Sequence, residues 1–442
     1  MLLALPPASA LAENADVGKD TGTLTLTAGG EHTVTVRTDG WYVLECWGQK
    51  GANGQTYSRA GGVGGNGGYV KAEAYLTADT ELTVSVGVGG AAGGGTNYVS
   101  DSQGGKGGGR TAIQLSGTYL LAANGGGGGG GGSTKGAGAP GGTNGDGATG
   151  PADGSNQGPG SYGAGGGGGG AGYPYGGYGG ANNTGNGGPG GGGNAGKSYL
   201  AAASATLFPK TLTYGASSST TGEARIEWIG YGVTLDKNGG NSDGFSGAPE
   251  NGDALFNITA PVKTGYVVEG YYKEPACTTK VAEASGTLIT NVSGYTDGSG
   301  KWIKDGAATL YTKWAAICAV TLAAGAGGTD GSATAIEGFP ALSGITAPVK
   351  TGYAVEGYYD DAGFSHKVAD GTGALLANVA GYTDGSGKWI KTEAAALYAK
   401  WTPKTYAVTL KAGGSGTDGT ATATYDSADL ITEGLIPRGS AA

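Results

Sequence analysis

The sequence predicts a mainly β protein built from two different kinds of module. Three observations point there. Short runs alternate polar and apolar residues with turn signals between them, the pattern of half-buried strands. Glycine supplies 100 of the 442 residues and concentrates between about Gly61 and Gly196, most densely at Gly125–Gly132, Gly165–Gly170 and Gly187–Gly193. Behind that field, whole blocks of sequence recur about 87 residues apart.

The strands can be read in order. Thr23–Thr27 and His32–Arg37 alternate strictly, and Asp39-Gly40 is a turn signal. Trp41–Gly48 is an apolar, aromatic strand. Gly68–Tyr75 and Glu81–Val88 follow, joined by a turn at Leu76–Thr80. Gly117–Ala123 is a short strand that runs straight into eight glycines. Ser198–Leu200 and Glu223–Ile229 close the region. Regular spacing of short strands predicts a β-sandwich.

From Tyr231 the repeat takes over. Val233-Thr234-Leu235 returns as Val320-Thr321-Leu322 and again as Val408-Thr409-Leu410. Ile258–Tyr266 returns at Ile345–Tyr353, and Gly294–Lys304 returns unchanged at Gly381–Lys391. Leu310-Tyr311-Thr312-Lys313-Trp314 returns as Leu397-Tyr398-Ala399-Lys400-Trp401. Such agreement marks tandem duplication. The predicted organisation is 1–12, the remnant of a secretion signal; 13–230, the glycine-rich sandwich; 231–316 and 317–402, two full repeats; and 403–442, a partial third. Met1–Ala12 is apolar and ends in a small-x-small cleavage pattern, but lacks a basic start, so the signal is expected to begin upstream.

Composition narrows the function. With 14% charged residues, a net charge of −9 and no Lys/Arg cluster, nothing invites nucleic acid or an anionic membrane. Cys46, Cys277 and Cys318 are odd in number and share no metal spacing, so the modules are expected to stand on packing alone. The tryptophans mark the cores: Trp41, Trp47 and Trp228 in the sandwich, Trp302 and Trp314 in the first repeat, Trp389 and Trp401 in the second.

The order WYVLECWGQKGANG, GGVGGNGGYVKAEAYLTADTELTVSVGVGG, GGKGGGRTAIQLSGTYLLAANGGGGGGGG and GEARIEW resembles the glycine-rich domain of bacterial surface proteins and of the anaplastic lymphoma kinase ectodomain. The resemblance covers about residues 22–230. It implies a jelly-roll-like β-sandwich whose glycine runs pack as polyglycine II helices. The blocks of residues 231–402 resemble the internalin-type B repeat of bacterial surface proteins, which implies small β-grasp-like domains. The Gly-Tyr-Thr-Asp-Gly-Ser-Gly-Lys-Trp hairpin is an addition to the shorter members of that family.

Two readings of the glycine field stand: a slack tether, or a packed lattice. Ordering eight residues costs about 8–16 kcal/mol, with glycine at the high end. Each net hydrogen bond returns only about 0.5–1.5 kcal/mol. One run cannot hold itself, whereas several runs side by side, without Cβ atoms, can approach and bond on several faces. The resemblance, together with the strands on either side, favours the packed reading. Tyr162, Tyr173, Tyr175 and Tyr178 interrupt the field and are weak candidate binding residues, either plugging the lattice or facing outward as adhesive rings.

No catalytic constellation emerges. Gly191–Ser198 matches the phosphate-loop pattern, but lacks the preceding buried strand that the chemistry requires. With two histidines, His32 and His366, neither a histidine triad nor a multi-histidine metal site is expected. Asp297–Gly300 and Asp384–Gly387 read as hairpin turns, lacking the spaced acidic ligands of a calcium loop. No cofactor, catalytic residue, metal ligand or nucleotide is expected. The expected function is a non-enzymatic secreted or cell-surface structural and adhesive protein, with a glycine-rich head on a repeat stalk at a bacterial cell surface. The expected partner is a host or cell-surface glycan or protein, or another copy. Two alternatives remain: a self-assembling extracellular matrix or appendage component, and the non-catalytic part of a larger surface enzyme.

Overall fold

The computed structural model describes residues 14–93, 103–133, 137–142, 170–172, 192–202, 207–414, 416–427 and 430–431. Those residues are mainly β, with no α-helix among them. The chain divides into two compact units: Met1–Leu235, Gly244–Ala260 and Thr279–Leu310 form one, and Asp236–Asp243, Pro261–Thr278 and Tyr311–Ala442 the other.

In the first unit two sheets share one core. One runs in the order Asn14–Val17, Gly30–Val36, Glu81–Val88, Arg110–Leu115, Thr118–Ala123, Tyr199–Leu200. Its first pair is parallel and the rest antiparallel. The other places Leu207–Ser217, Gly67–Leu76, Gly40–Trp47 and Glu223–Asp236 side by side, with Thr23–Leu26 also against the last. Period-2 alternation decides which face is inside. Tyr42, Leu44 and Cys46 meet Val70, Ala72 and Ala74 of the same sheet and Val34, Leu82, Val84, Ile113 and Leu121 of the other. Residues one step out of phase point away from this core. There Glu45, although buried, takes Arg225 at 3.2 Å and Lys71 at 3.6 Å. Its desolvation is thereby offset by two cations.

Every strand read from the head sequence is present. Three further strands, Arg110–Leu115, Leu207–Ser217 and Asn14–Val17, lie outside that set. The second carries Pro209 and slips register beside it. Proline belongs at a sheet edge, where its missing N–H breaks no ladder, and this strand is an edge.

In the second unit, Ile317–Leu322 pairs antiparallel with Gly331–Ile336 and, through Val320–Ala323, parallel with Ala395–Tyr398. The closing strand Ala395–Pro403 then lies antiparallel to Tyr353–Tyr359. Val320, Leu322, Ala335, Tyr358, Val368, Trp389 and Leu397 fill the core. The predicted hairpin turn is present: Asp384 accepts amide hydrogen bonds from Ser386 (2.8 Å) and Lys388 (2.9 Å), closing a bridge between Thr383 and Trp389. In the first unit Asp297 does the same with Ser299 and Lys301, at 2.8 and 2.9 Å.

Successive repeats join without a linker, and the join is repeated. Ile317 donates to Gly265 O (2.9 Å) and Glu337 to Ala316 O (3.0 Å); one repeat later Lys404 donates to Gly352 O (2.8 Å) and Tyr425 to Lys404 O (2.9 Å). The third copy is a hairpin, Thr405–Leu410 against Gly419–Thr424, followed by Leu430–Ile431.

Candidate functional site

Four tyrosines singled out in the sequence, Tyr162, Tyr173, Tyr175 and Tyr178, lie outside the described residues, as do Gly165–Gly169 and Gly187–Gly191. Gly125–Gly132 is described, and every residue of it is buried.

The run has a regular hydrogen-bond geometry. Gly126, Gly129 and Gly132 donate to the carbonyls of Gln49, Ala52 and Gln55, at 3.0, 3.0 and 2.9 Å. Gly127 and Gly130 donate to Gly142 and Ala139, at 3.0 and 2.8 Å, and Gly125 to Ala171 at 2.7 Å. In the other direction, Gly62 and Gly65 donate to the carbonyls of Gly130 and Gly127, both at 2.8 Å. Gly105 and Gly108 donate to Gly129 and Gly126 at 2.7 Å, and Gly193 and Gly196 to Gly128 and Gly125 at 2.8 and 3.0 Å. Each register advances three residues on both chains, so neighbours are met once per three-residue turn. These bonds leave the run for other segments, unlike the internal bonds of an α- or 3₁₀-helix.

Close approach explains why the residue must be glycine. A Cβ on Gly126, Gly129 or Gly132 would lie 1.9, 1.9 or 2.0 Å from the carbonyl oxygens of Gly65, Gly62 and Arg59. On Gly125 or Gly128 it would meet Gly108 O at 1.9 Å or Gly105 O at 2.0 Å, and on Gly127 it would meet Gly193 O at 1.9 Å. Three faces of the run are thus each closed by a different segment. None of the eight has a positive φ. Space, rather than a left-handed backbone, is what glycine supplies here.

Polar side chains pin the rim of this packing. Asn124, fully buried where strand becomes glycine run, receives Ser198 Oγ–H on its Oδ1 (2.6 Å), and its backbone amide donates to the same hydroxyl oxygen (3.0 Å). Asn53 Oδ1 accepts from Gly64 N (2.9 Å), and Gln49 Oε1 from Gly109 N (2.9 Å). Sequence reasoning did not single out these residues. The available signal was an isolated Asn or Gln flanking glycines. The phosphate-loop match runs through the same region, and the amides of Gly193 and Gly196 are spent on Gly128 and Gly125.

The repeats present a second recurring feature. In the second unit Lys350 Nζ sits 4.9 Å from the Tyr353 ring centre and Lys400 Nζ 5.4 Å from that of Tyr359. Trp401 donates Nε1–H to Ala324 O at 2.8 Å. With Phe364, which meets the Tyr359 ring edge-to-face at 5.4 Å, Lys350, Tyr353, Lys400 and Trp401 edge an open cleft of ≈ 560 Å³. Lys263 lies 4.0 Å from the Tyr266 ring centre, and Trp314 donates to Lys237 O at 2.8 Å, the same construction one repeat earlier. Cys277 there takes the place of Phe364, and both residues have positive φ. Among the described residues no group of three His, Cys, Asp or Glu side chains converges as metal ligands. His32 is buried with Nε2 at 2.8 Å from Ala28 O, and His366 is exposed beside Asp360 at 2.8 Å.

A protein-family profile described as the Listeria-Bacteroides repeat domain matches residues 231–293. No curated protein matches the chain. The chain therefore contains a bacterial surface repeat domain, of a kind typical of cell-surface proteins. The blocks of that repeat recur 87 residues on in the second copy.

Proposed function

We propose that this chain is a non-catalytic structural and adhesive protein of the bacterial cell surface, with a glycine-rich head presented on a stalk of repeats. The observation that carries the reading is the bacterial surface repeat at residues 231–293, duplicated behind a module of a different kind. The repeats set the distance from the cell, and the head meets a glycan or protein on the opposing surface. In this reading the head is a jelly-roll-like sandwich akin to the glycine-rich domain of the anaplastic lymphoma kinase ectodomain. Its glycine runs are polyglycine II helices. The three-residue hydrogen-bond register and the absence of positive φ from Gly125–Gly132 support that assignment. The repeats are internalin-type β-grasp-like modules, supported by the leading hairpin and its parallel closing strand.

The test is the intact chain on glycan and host-protein arrays, with light scattering over a concentration series. Saturable binding by the monomer is expected. Fibres that grow with concentration, together with no binding to any surface, would overturn the adhesive reading in favour of a self-assembling matrix component.

A further inference from the structure

The two full repeats agree in their inner faces and differ on the outer face of the leading hairpin. Aligned 87 residues apart, Gly232, Phe245, Gly247, Phe256 and Asn257 of the first repeat stand where the second has Ala319, Ser332, Thr334, Ser343 and Gly344. In the second repeat Ala319, Ser332, Ser343 and Gly344 are exposed. Nothing in a free-standing repeat calls for two phenylalanines there.

In the first unit the same face is occupied. The head presents a cross-strand aromatic pair on the side of its sheet away from the sandwich core, with Trp41 opposite Tyr75. Phe245 lies 5.8 Å from Trp41 and 4.9 Å from Tyr75, the latter edge-to-face, and Phe256 is 5.9 Å from Trp41, also edge-on. These are favourable separations and orientations for aromatic rings. Trp41, with 0% of its surface exposed, donates Nε1–H to Ser246 O at 3.1 Å. Asn257 donates from Nδ2 to Glu73 of the head at 2.7 Å.

Even the small residues fit the purpose. A Cβ on Gly232 would sit 2.5 Å from the Tyr75 ring, and one on Gly247 would sit 2.3 Å from the Phe256 ring. The second repeat carries a Cβ at both places. Asn257 and Gly344 share a left-handed φ, 50° and 58°, so asparagine keeps the backbone shape while adding the bond to Glu73. The strand Glu223–Asp236 runs without a break from the head sheet into this hairpin.

We infer that the first repeat is a dedicated adaptor, whose leading hairpin carries a docking surface for the Trp41–Tyr75 face of the head, and that the head unfolds together with this hairpin. The partner is defined by chemistry: two edge-to-face aromatic rings and an adjacent carboxylate, matched by two phenylalanines, an amide donor and two glycines. The inference goes beyond the adhesive reading and does not depend on it.

The test gives the first repeat the residues of the second. In the intact chain, Phe245→Ser with Phe256→Ser is expected to lower the melting midpoint of the head by about 5 °C or more, from the loss of two half-buried rings packed on Trp41 and Tyr75. Hydrogen exchange at Gly40–Trp47 and Gly67–Leu76 is expected to accelerate. The reciprocal change, Ser332→Phe with Ser343→Phe, leaves exchange in the head unchanged. Should the double variant fail to fold, Asn257→Gly removes the bond to Glu73 and keeps the backbone conformation, and faster exchange around Trp41 and Tyr75 is again expected. Unchanged midpoint and unchanged exchange around Trp41 in the folded variants would overturn the inference.

Discussion

Replacing Gly129 by alanine separates a packed lattice, which it destabilises, from a slack tether, which it leaves unchanged. The new Cβ would lie 1.9 Å from Gly62 O and 2.4 Å from Gly62 C, whereas real Cβ contacts essentially never fall below 3.0 Å. The segment around Gly62 must therefore withdraw by about 1.1 Å. Two buried bonds hang on that position: Gly62 N to Gly130 O at 2.8 Å, and Gly54 N to Gly62 O at 2.9 Å. Both are stretched out of hydrogen-bond range. Each stranded buried group costs about 1–3 kcal/mol, so the loss is about 2–6 kcal/mol. Against it stands the lower entropy of the unfolded chain, which favours alanine by about 0.4–1 kcal/mol. The expected net effect is a destabilisation of about 1–5.5 kcal/mol, read by denaturant or thermal unfolding. On a slack tether, disordered before and after folding, neither term operates and the variant would be as stable as the parent. Gly298→Ala is the control: its Cβ meets only Asn291 Oδ1, at 3.4 Å, and φ is not positive. A change within about 0.5 kcal/mol is expected there. A Gly129→Ala protein as stable as the parent, or more so, would refute the reasoning.

Trp389, 1% exposed in the second repeat, is expected to cost about 3–5 kcal/mol on truncation to alanine, measured by chemical denaturation. Leu322 and Leu410 hold equivalent positions, but the first is fully buried under the closing strand and the second is half-exposed in the partial repeat. Leu322→Asp is expected to unfold its repeat and Leu410→Asp to leave circular dichroism and melting nearly unchanged; equal effects would contradict the difference in burial between the two positions. Amide hydrogen bonds, from Lys301 and Ser299 and from Lys388 and Ser386, hold the Asp297 and Asp384 carboxyls below their ordinary value of 3.8. A lowered folded pKa gives stability that is fully present above the unfolded value and is lost as pH falls through the folded one. Melting of the repeats is thus expected to be insensitive to these groups near neutrality and to fall with acidification below about pH 4. Asp297→Asn with Asp384→Asn should flatten that part of the profile.

Strands and repeats were legible because their signals are local. Alternation at Gly68–Tyr75 fixes which residues enter the core, and near-identity at Gly294–Lys304 and Gly381–Lys391 fixes a shared hairpin. Leu207–Ser217 was not legible, since it alternates weakly and earns its place only by pairing with Gly67–Leu76. The glycine run was legible as a run but not as a geometry. Its bonds go to residues 49–55, 62–65, 105–108, 139–142, 171 and 193–196, which no periodicity within the run reveals. The head face of the first repeat was present in the sequence as Phe245 and Phe256 against Ser332 and Ser343. Its meaning depended on seeing Trp41 and Tyr75 across from them. Cores announce themselves by pattern, whereas interfaces between modules appear only as exceptions to a repeat.

The central claim is that the glycine run is ordered structural material bonded on several sides, and amide hydrogen exchange of Gly125–Gly132 in the intact chain tests it most directly. These amides are expected to be protected alongside the strand Thr118–Ala123 that leads into them, with exchange limited by opening of the head. Exchange at the rate of an unstructured glycine peptide, while Thr118–Ala123 stays protected, would contradict it.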